Sequence, residues 1–179
     1  PSVVFGLWGI LVFSKQVTGF YGFLHDVFGP VPLLGRLFGE SSVGRNYMTA
    51  GIILAVMITP IITSLAREVI DTCPVADREG AFALGATRWE MIRGAVLPHA
   101  KGGLVGAVML GLGRAMGETI AVALVIGSAV NISPNLFESG DALPARIANE
   151  WGEAEGEWRA ALIGLAVTLF VITIAVNLL

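Results

Sequence analysis

The sequence has one cysteine, two histidines and few charged residues, and each shortage excludes a class of protein. A single cysteine, Cys73, leaves no intrachain disulfide and no metal site built from several cysteines. His25 and His99 are isolated, so no metal or cofactor site is expected. Charged residues make up 14% of the 179, against about 25% in ordinary soluble domains. These shortages argue against a disulfide-rich scaffold, a nucleic-acid binder and a cytosolic enzyme.

Apolar residues are abundant instead, at 55% of the chain, and they are grouped into long runs. Four segments have the composition of membrane spans: 1–13, 48–66, 103–127 and 160–179. A span needs about 20 residues, so the first segment looks truncated, and we expect residues 1–179 to be a fragment of a transmembrane domain that lacks its N-terminal span. The sequence predicts an all-α, polytopic membrane protein.

The basic residues of the connections predict the orientation of these spans. The connection 67–101 has five basic residues, whereas 14–47 has three and 128–159 has two together with six acids. Basic residues concentrate in short loops on the cytoplasmic side. We therefore expect residues 67–101 to be cytoplasmic and the other two connections to be external.

Two helix-breaking signals divide the cytoplasmic connection. Residues 79–85 read Glu-Gly-Ala-Phe-Ala-Leu-Gly, and Leu97-Pro98 follow a second helical stretch. Glycine allows a left-handed corner, and proline blocks helix continuation. We predict two short helices separated at Gly85, the second ending near Pro98. Such an exposed element is suited to docking with a cytoplasmic partner; the alternative is an amphipathic loop helix without a partner.

The same stretch resembles the EAA motif of the permease subunits of bacterial ABC importers. Glu79, Ala81, Gly85, Leu97 and Pro98 match that motif, while Gly80 stands where alanine is usual. The resemblance implies coupling helices that sit in a cleft of a separate ATP-hydrolysing subunit. The residues it assigns to this coupling are Glu79, Gly80, Ala81, Gly85, Leu97 and Pro98.

A charged pair, Arg114 and Glu118, lies near the middle of the segment 103–127. On a continuous helix the two share one face. A charge at the centre of a membrane costs about 2.5–3.5 kcal/mol on insertion scales, so both should face a bundle interior or an aqueous path. A guanidinium can donate two hydrogen bonds to a tetrahedral oxyanion, and a carboxylate can accept one from a protonated phosphate oxygen. The alternatives are a gate formed with a partner charge and a purely architectural salt bridge.

The residues around this pair carry a second, narrower resemblance. Residues 113–122, Gly-Arg-Ala-Met-Gly-Glu-Thr-Ile-Ala-Val, resemble the PstC-type permeases of the bacterial phosphate ABC importer. The sister PstA-type permeases usually carry Gly-Glu-Thr-Ala-Pro at this place. The resemblance implies a MetI-like helical bundle in the inner membrane, with Arg114 and Glu118 in the substrate path. Thr119 is a weaker candidate, because a hydroxyl in a span often bonds to its own backbone.

This resemblance also implies which partners assemble with the chain and which subunit hydrolyses ATP. A PstA-type permease would complete the pore, a dimer of ATPase subunits would bind below, and an external phosphate-binding protein would deliver inorganic phosphate. ATP hydrolysis would occur on the partner, because this chain has no Walker-type phosphate loop. The alternatives are a permease for sulfate or molybdate, an ATP-independent secondary transporter or ion channel, and a non-transporting membrane scaffold.

Overall fold

The computed structural model describes residues 1–31, 34–40 and 44–178, and eight helices account for most of this part of the chain. Their bounds are α1 Ser2–Gln16, α2 Thr18–Phe28, α3 Tyr47–Asp71, α4 Val75–Ala83, α5 Arg88–Met116, α6 Ile120–Val125, α7 Leu143–Glu150 and α8 Gly156–Leu178. One π-helical turn interrupts α1 at Gly9–Phe13, and another interrupts α5 at Ile92–Val96. The described ranges contain no strand, only an isolated bridge between Gly127 and Gly140. The all-α prediction is confirmed.

Three of these helices, α3, α5 and α8, are long and apolar enough to cross a membrane. The helices α1 and α2 pass the same test only together, and they are bent by 56° at the break between them. The described residues therefore contain three candidate spans, or four if the bent pair counts as one. The segment 48–66 lies within α3 and 1–13 lies in α1; 160–179 lies in α8 except for residue 179, which is outside the described residues.

The segment 103–127 is not one continuous helix, so this prediction is wrong. Helix α5 ends at Met116, residues 117–119 are non-helical, and α6 begins at Ile120. Gly117 is a poor helix former, and the next two side chains bond to backbone groups beside them. The Thr119 hydroxyl donates to the Gly117 carbonyl at 3.2 Å, and the Glu118 carboxylate accepts from the Ala121 N–H at 3.4 Å. Such local bonds compete with the helix, and hydropathy does not detect them.

The prediction that a helix ends near Pro98 is also wrong. Helix α5 runs from Arg88 through Pro98 to Met116. Proline lacks the N–H that an α-helix needs. The π-turn directly before it shifts the register, so that the Leu97 N–H bonds to the Ile92 carbonyl, five residues back. The wider turn absorbs the proline, and the helix continues.

The chain divides into two compact units, of which the first comprises Pro1–Met57 and Ala115–Leu179. Its core brings α1, the first half of α3, α6 and α7 together around Ile53, Val125 and Ala145. Helix α1 approaches α6 at Gly6, where an added Cβ would lie 3.1 Å from the Ala121 Cα. Small residues allow this close approach of backbones, as is common between membrane helices.

The second unit comprises Ile58–Arg114. Within it, the end of α3 packs along α5, and an added Cβ at Gly111 would lie 2.5 Å from Ile62 Cγ1. Where the chain turns between these helices, a small core forms from Cys73, Met91 and Val96. This core fixes the segment that carries the predicted coupling residues.

Candidate functional site

The turn between α3 and α5, residues 72–91, forms an elbow made of α4 and the first turn of α5. Pro74 precedes α4 with an extended backbone, φ −54° and ψ 138°, which starts the helix in a new direction. Gly85 follows α4 with φ +83°, the left-handed conformation that glycine adopts without strain. The predicted division at Gly85 is confirmed.

The structure separates the six predicted coupling residues into two groups. Glu79, Gly80 and Gly85 are exposed on the elbow, and Ala81 is half-buried against the core around Cys73. The other two, Leu97 and Pro98, are exposed on α5 beyond the π-turn. At about 1.5 Å per residue, Leu97 lies about 13 Å along α5 from its start. These two residues are therefore part of the long apolar helix and not of the elbow.

Large apolar side chains are exposed on the elbow. The exposed fractions are 65% for Val75, 90% for Leu84 and 66% for Trp89. A cleft of about 650 Å³ runs between α4 and the start of α5, and Gly80, Leu84 and Gly94 are among its lining residues. Exposed apolar side chains beside a cleft are typical of a protein-binding surface.

Arg78 connects the elbow to α3. Its Nη2 donates a hydrogen bond of 2.8 Å to the carbonyl of Ile70, in the last turn of α3. The last carbonyls of a helix have no partner within the helix, so the guanidinium satisfies one of them. No sequence signal predicts this contact, because basic residues are common in such a connection.

A reciprocal cap fixes the start of α5. The Thr87 N–H donates to Glu90 Oε2 at 2.8 Å, and the Glu90 N–H donates to Thr87 Oγ1 at 3.4 Å. This is the capping box that the pattern Thr-x-x-Glu predicts. The sequence analysis overlooked it, although residues 87–90 carry the signal plainly.

Arg114 lies in the last turn of α5, and its side chain is exposed. Within its own described unit, 58–114, it forms no hydrogen bond and no ion pair. Within that unit its donors are free, and residues 102–113 of the helix before it carry no charged side chain. The division between the two units follows Arg114, so Glu118 belongs to the other unit.

Glu118 is half-buried in the break between α5 and α6. The Ser2 hydroxyl donates to its Oε2 at 3.0 Å, and the Ala121 N–H donates to its Oε1 at 3.4 Å. Both oxygens thus accept a hydrogen bond. The expectation that Arg114 and Glu118 lie four residues apart on one continuous helix is wrong, because the helix ends between them at Met116. Sequence reasoning missed Ser2, which is 116 residues away.

Thr119 lies in the same break and is half-buried. Its hydroxyl bonds to the Gly117 carbonyl, as the analysis of hydroxyls in spans anticipated. It also lines a cavity of about 440 Å³, together with Pro144 and Trp151. Its side chain stabilises the break, and its place at a cavity leaves it a candidate for the substrate path.

Comparison with known proteins gives one family and a consistent set of relatives. Residues 1–179 match the family described as binding-protein-dependent transport system inner membrane component. Proteins named phosphate transport system permease protein PstC are similar to nearly the whole chain. The one from Xylella fastidiosa is 45% identical over 98% of this chain and 55% of its own length. The one from Haemophilus influenzae is 42% identical over 100% and 57%.

A PstC 2 protein from Mycobacterium tuberculosis is 42% identical over 99% of this chain and 55% of its own length. The chain thus spans about half the length of the curated relatives it matches. No solved structure matches it. The family match covers every helix described above, and the prediction of an all-helical membrane protein is confirmed. This chain belongs to the family of binding-protein-dependent transport system inner membrane components.

Proposed function

We propose that this chain is part of a permease subunit that moves inorganic phosphate across the bacterial inner membrane, driven by ATP hydrolysis on a separate subunit. The observation that carries this proposal is the 45% identity, over 98% of the chain, to a relative named as a phosphate transport permease. The further partners are a PstA-type permease, an ATPase dimer and an external phosphate-binding protein.

The phosphate path runs past Arg114 and Glu118. An unpaired guanidinium at the end of an apolar helix has its donors free for an oxyanion, and Arg114 has no partner in its own described unit. Glu118 accepts hydrogen bonds on both oxygens, so it is an acceptor at a fixed place. Phosphate near neutral pH keeps a proton that such an acceptor can recognise, whereas sulfate and molybdate do not. An acceptor at Glu118 therefore favours phosphate over the other oxyanions.

The elbow is the contact with the ATPase. Its exposed Val75, Leu84 and Trp89 offer apolar area to a partner, and its cleft offers a complementary groove. Glu79, Gly80, Ala81 and Gly85 lie at that surface. Leu97 and Pro98 act indirectly, because they belong to α5, the helix that carries the motion of the elbow into the membrane.

The proposal is tested by phosphate uptake into proteoliposomes that contain the full-length protein and its partners. ATP is enclosed, the external binding protein is added outside, and excess sulfate or molybdate serves as competitor. ATP-dependent uptake that resists both competitors is the expected result. Transport of sulfate or molybdate instead of phosphate would contradict the substrate, and uptake independent of ATP would contradict the coupling to an ATPase.

A further inference from the structure

One face of α5 combines an exposed apolar surface with two basic side chains, Arg93 and Lys101, that have no part in the proposed function. The face forms a shallow groove of about 420 Å³ lined by Arg93, Leu97, Pro98, Lys101, Leu104 and Val105. All of these residues belong to the second unit. We name it the basic groove.

The π-turn aligns the two basic residues on this face. In a regular α-helix, residues eight apart are about 80° out of line, since one turn takes about 3.6 residues. A π-turn bonds residue i to i+5 and so holds about one extra residue. Arg93 lies inside the π-turn and Lys101 one α-turn beyond it, so about eight residues complete two turns. Both side chains therefore emerge on the same side of the helix.

Both cations are available to a ligand. Arg93 and Lys101 are exposed, and neither forms an ion pair or hydrogen bond with the described part of the chain. The acid nearest in sequence, Glu90, is engaged in the cap with Thr87. An anion in the basic groove would meet two unneutralised positive charges.

The surface that continues from the groove is apolar and exposed. The exposed fractions are 39% for Leu97, 49% for Val105 and 42% for Val108. Helix α5 has 29 residues, more than the roughly 20 that a span needs. Helical side chains lean toward the amino terminus, so Lys101 extends its ammonium back toward Arg93, out of the hydrocarbon. A ligand that fits has a negative headgroup and apolar chains directly beneath it.

We propose that the basic groove binds an anionic phospholipid of the leaflet on the elbow side, with its phosphate between Arg93 and Lys101 and its acyl chains along Leu97, Val105 and Val108. Clusters of basic residues at the end of a span attract anionic lipids, and each basic residue strengthens lipid binding about fivefold. The headgroup would stabilise the start of α5, close to the surface that meets the ATPase.

The test measures anionic lipid bound to the purified complex containing the full-length protein. Complexes in nanodiscs of mixed phosphatidylglycerol and phosphatidylcholine are released into detergent, and retained lipid is counted by native mass spectrometry. The variant is R93Q/K101Q. The matched control is R67Q/R88Q, which removes two exposed basic residues of the same unit outside the groove.

We expect R93Q/K101Q to weaken phosphatidylglycerol retention by about 25-fold, at about fivefold per basic residue, with the control close to the wild type. Equal retention by both variants would overturn the proposal. So would displacement of the lipid by millimolar inorganic phosphate, which would identify a phosphate site rather than a lipid site.

A second measurement keeps the wild-type charges and does not depend on the folding of that variant. A photo-reactive amino acid replaces Val105, and the complex is irradiated in the same nanodiscs. Cross-links to phosphatidylglycerol in excess of its share of the bilayer are expected. Cross-links to a protein subunit instead would mean that a polypeptide covers the groove, and the proposal would be wrong.

Discussion

Arg114 is the residue on which the proposed transport of phosphate depends most directly. We predict that Arg114→Gln leaves the complex folded and assembled but lowers phosphate uptake about 10- to 100-fold. A hydrogen bond from a charged donor contributes about 1.5–3 kcal/mol, and glutamine keeps a polar, unbranched side chain but is shorter and has no charge. Uptake into proteoliposomes measures the effect. Arg67→Gln, which removes an exposed charge elsewhere in the second unit, serves as the control; equal uptake by both variants would remove Arg114 from the path.

Ser2 is the positioning residue for Glu118. Its hydroxyl donates to Oε2 at 3.0 Å, so Ser2→Ala leaves a half-buried carboxylate oxygen without that donor. We predict a loss of about 1 kcal/mol in the free energy of unfolding and no loss when Glu118→Ala, which removes the acceptor, is already present. A double-mutant cycle on the full-length protein in detergent measures this coupling. An equal cost of Ser2→Ala in both backgrounds would show that the hydrogen bond contributes nothing.

At the scale of the helices, Gly85 and Gly80 form a matched pair within the elbow. An added Cβ meets nothing within 4 Å at either position, so only the backbone differs. Gly85→Ala forces a side chain into the left-handed region at φ +83° and should cost about 1–2 kcal/mol. Gly80→Ala, inside α4, should instead stabilise by about 0.5–1 kcal/mol. Thermal unfolding of the full-length protein measures both; a shift of the same sign would contradict the geometry of the corner.

Arg78 transmits movement of the elbow to α3 if the proposed coupling is correct. Its guanidinium donates a hydrogen bond from α4 to the carbonyl of Ile70. We predict that Arg78→Ala leaves ATP hydrolysis by the complex near normal but lowers phosphate uptake about tenfold, in keeping with the loss of a charge-assisted hydrogen bond of about 1.5–3 kcal/mol. Arg78→Lys, which can still donate one bond, should recover part of the uptake.

The matched control for Arg78 is Arg67→Ala, an exposed residue of the same unit outside the elbow. The measurement is the number of phosphate ions moved per ATP hydrolysed. If hydrolysis and uptake fall in the same proportion for Arg78→Ala, the residue is needed for assembly and not for transmission. If the number of phosphate ions moved per ATP and the rate of phosphate uptake are both unchanged, the Arg78–Ile70 hydrogen bond is dispensable.

Apolar composition did not predict the break between α5 and α6. The segments 48–66 and 160–178 are helical because uninterrupted apolar runs of such length have few other structures available. Between Met116 and Ile120, Gly117, Glu118 and Thr119 interrupt the apolar run, and the helix is interrupted there as well, because side-chain bonds at Glu118 and Thr119 replace helical ones. Which local bond prevails depends on Ser2 and α6 being in place, and the sequence around the break does not contain that information.

At the scale of the whole molecule, the orientation of the chain in the membrane can be tested directly. Asp77 lies on the elbow and Glu153 between α7 and α8, and both side chains are exposed. We predict that Asp77→Cys reacts with a membrane-impermeant thiol reagent only in inverted vesicles and Glu153→Cys only in intact spheroplasts, because the excess of basic residues places 67–101 in the cytoplasm.

The native cysteine provides the background for this labelling. Cys73 is only 3% exposed, within the core beside Met91, so it should react slowly, and Cys73→Ser removes it altogether. Labelling of both new cysteines from one side would contradict the predicted orientation. Labelling of each new cysteine from the side opposite to the one expected would show that the orientation is inverted. The elbow would then lie on the side of the membrane away from a cytoplasmic ATPase.

Composition and short spacing were enough to predict an all-helical membrane protein and the corner at Gly85. They also located the apolar runs that form α3 and α8, and they supplied the residue types of a permease family. Each of these follows from local chemistry, since an apolar run must bury its backbone bonds and a left-handed corner needs glycine. Three features became visible only in the folded chain. Helix α5 continues through Pro98, Glu118 accepts a hydrogen bond from Ser2, and Arg78 donates one to Ile70. Those outcomes depend on a π-turn and on contacts between distant segments, whose energies are comparable with those of the local alternatives.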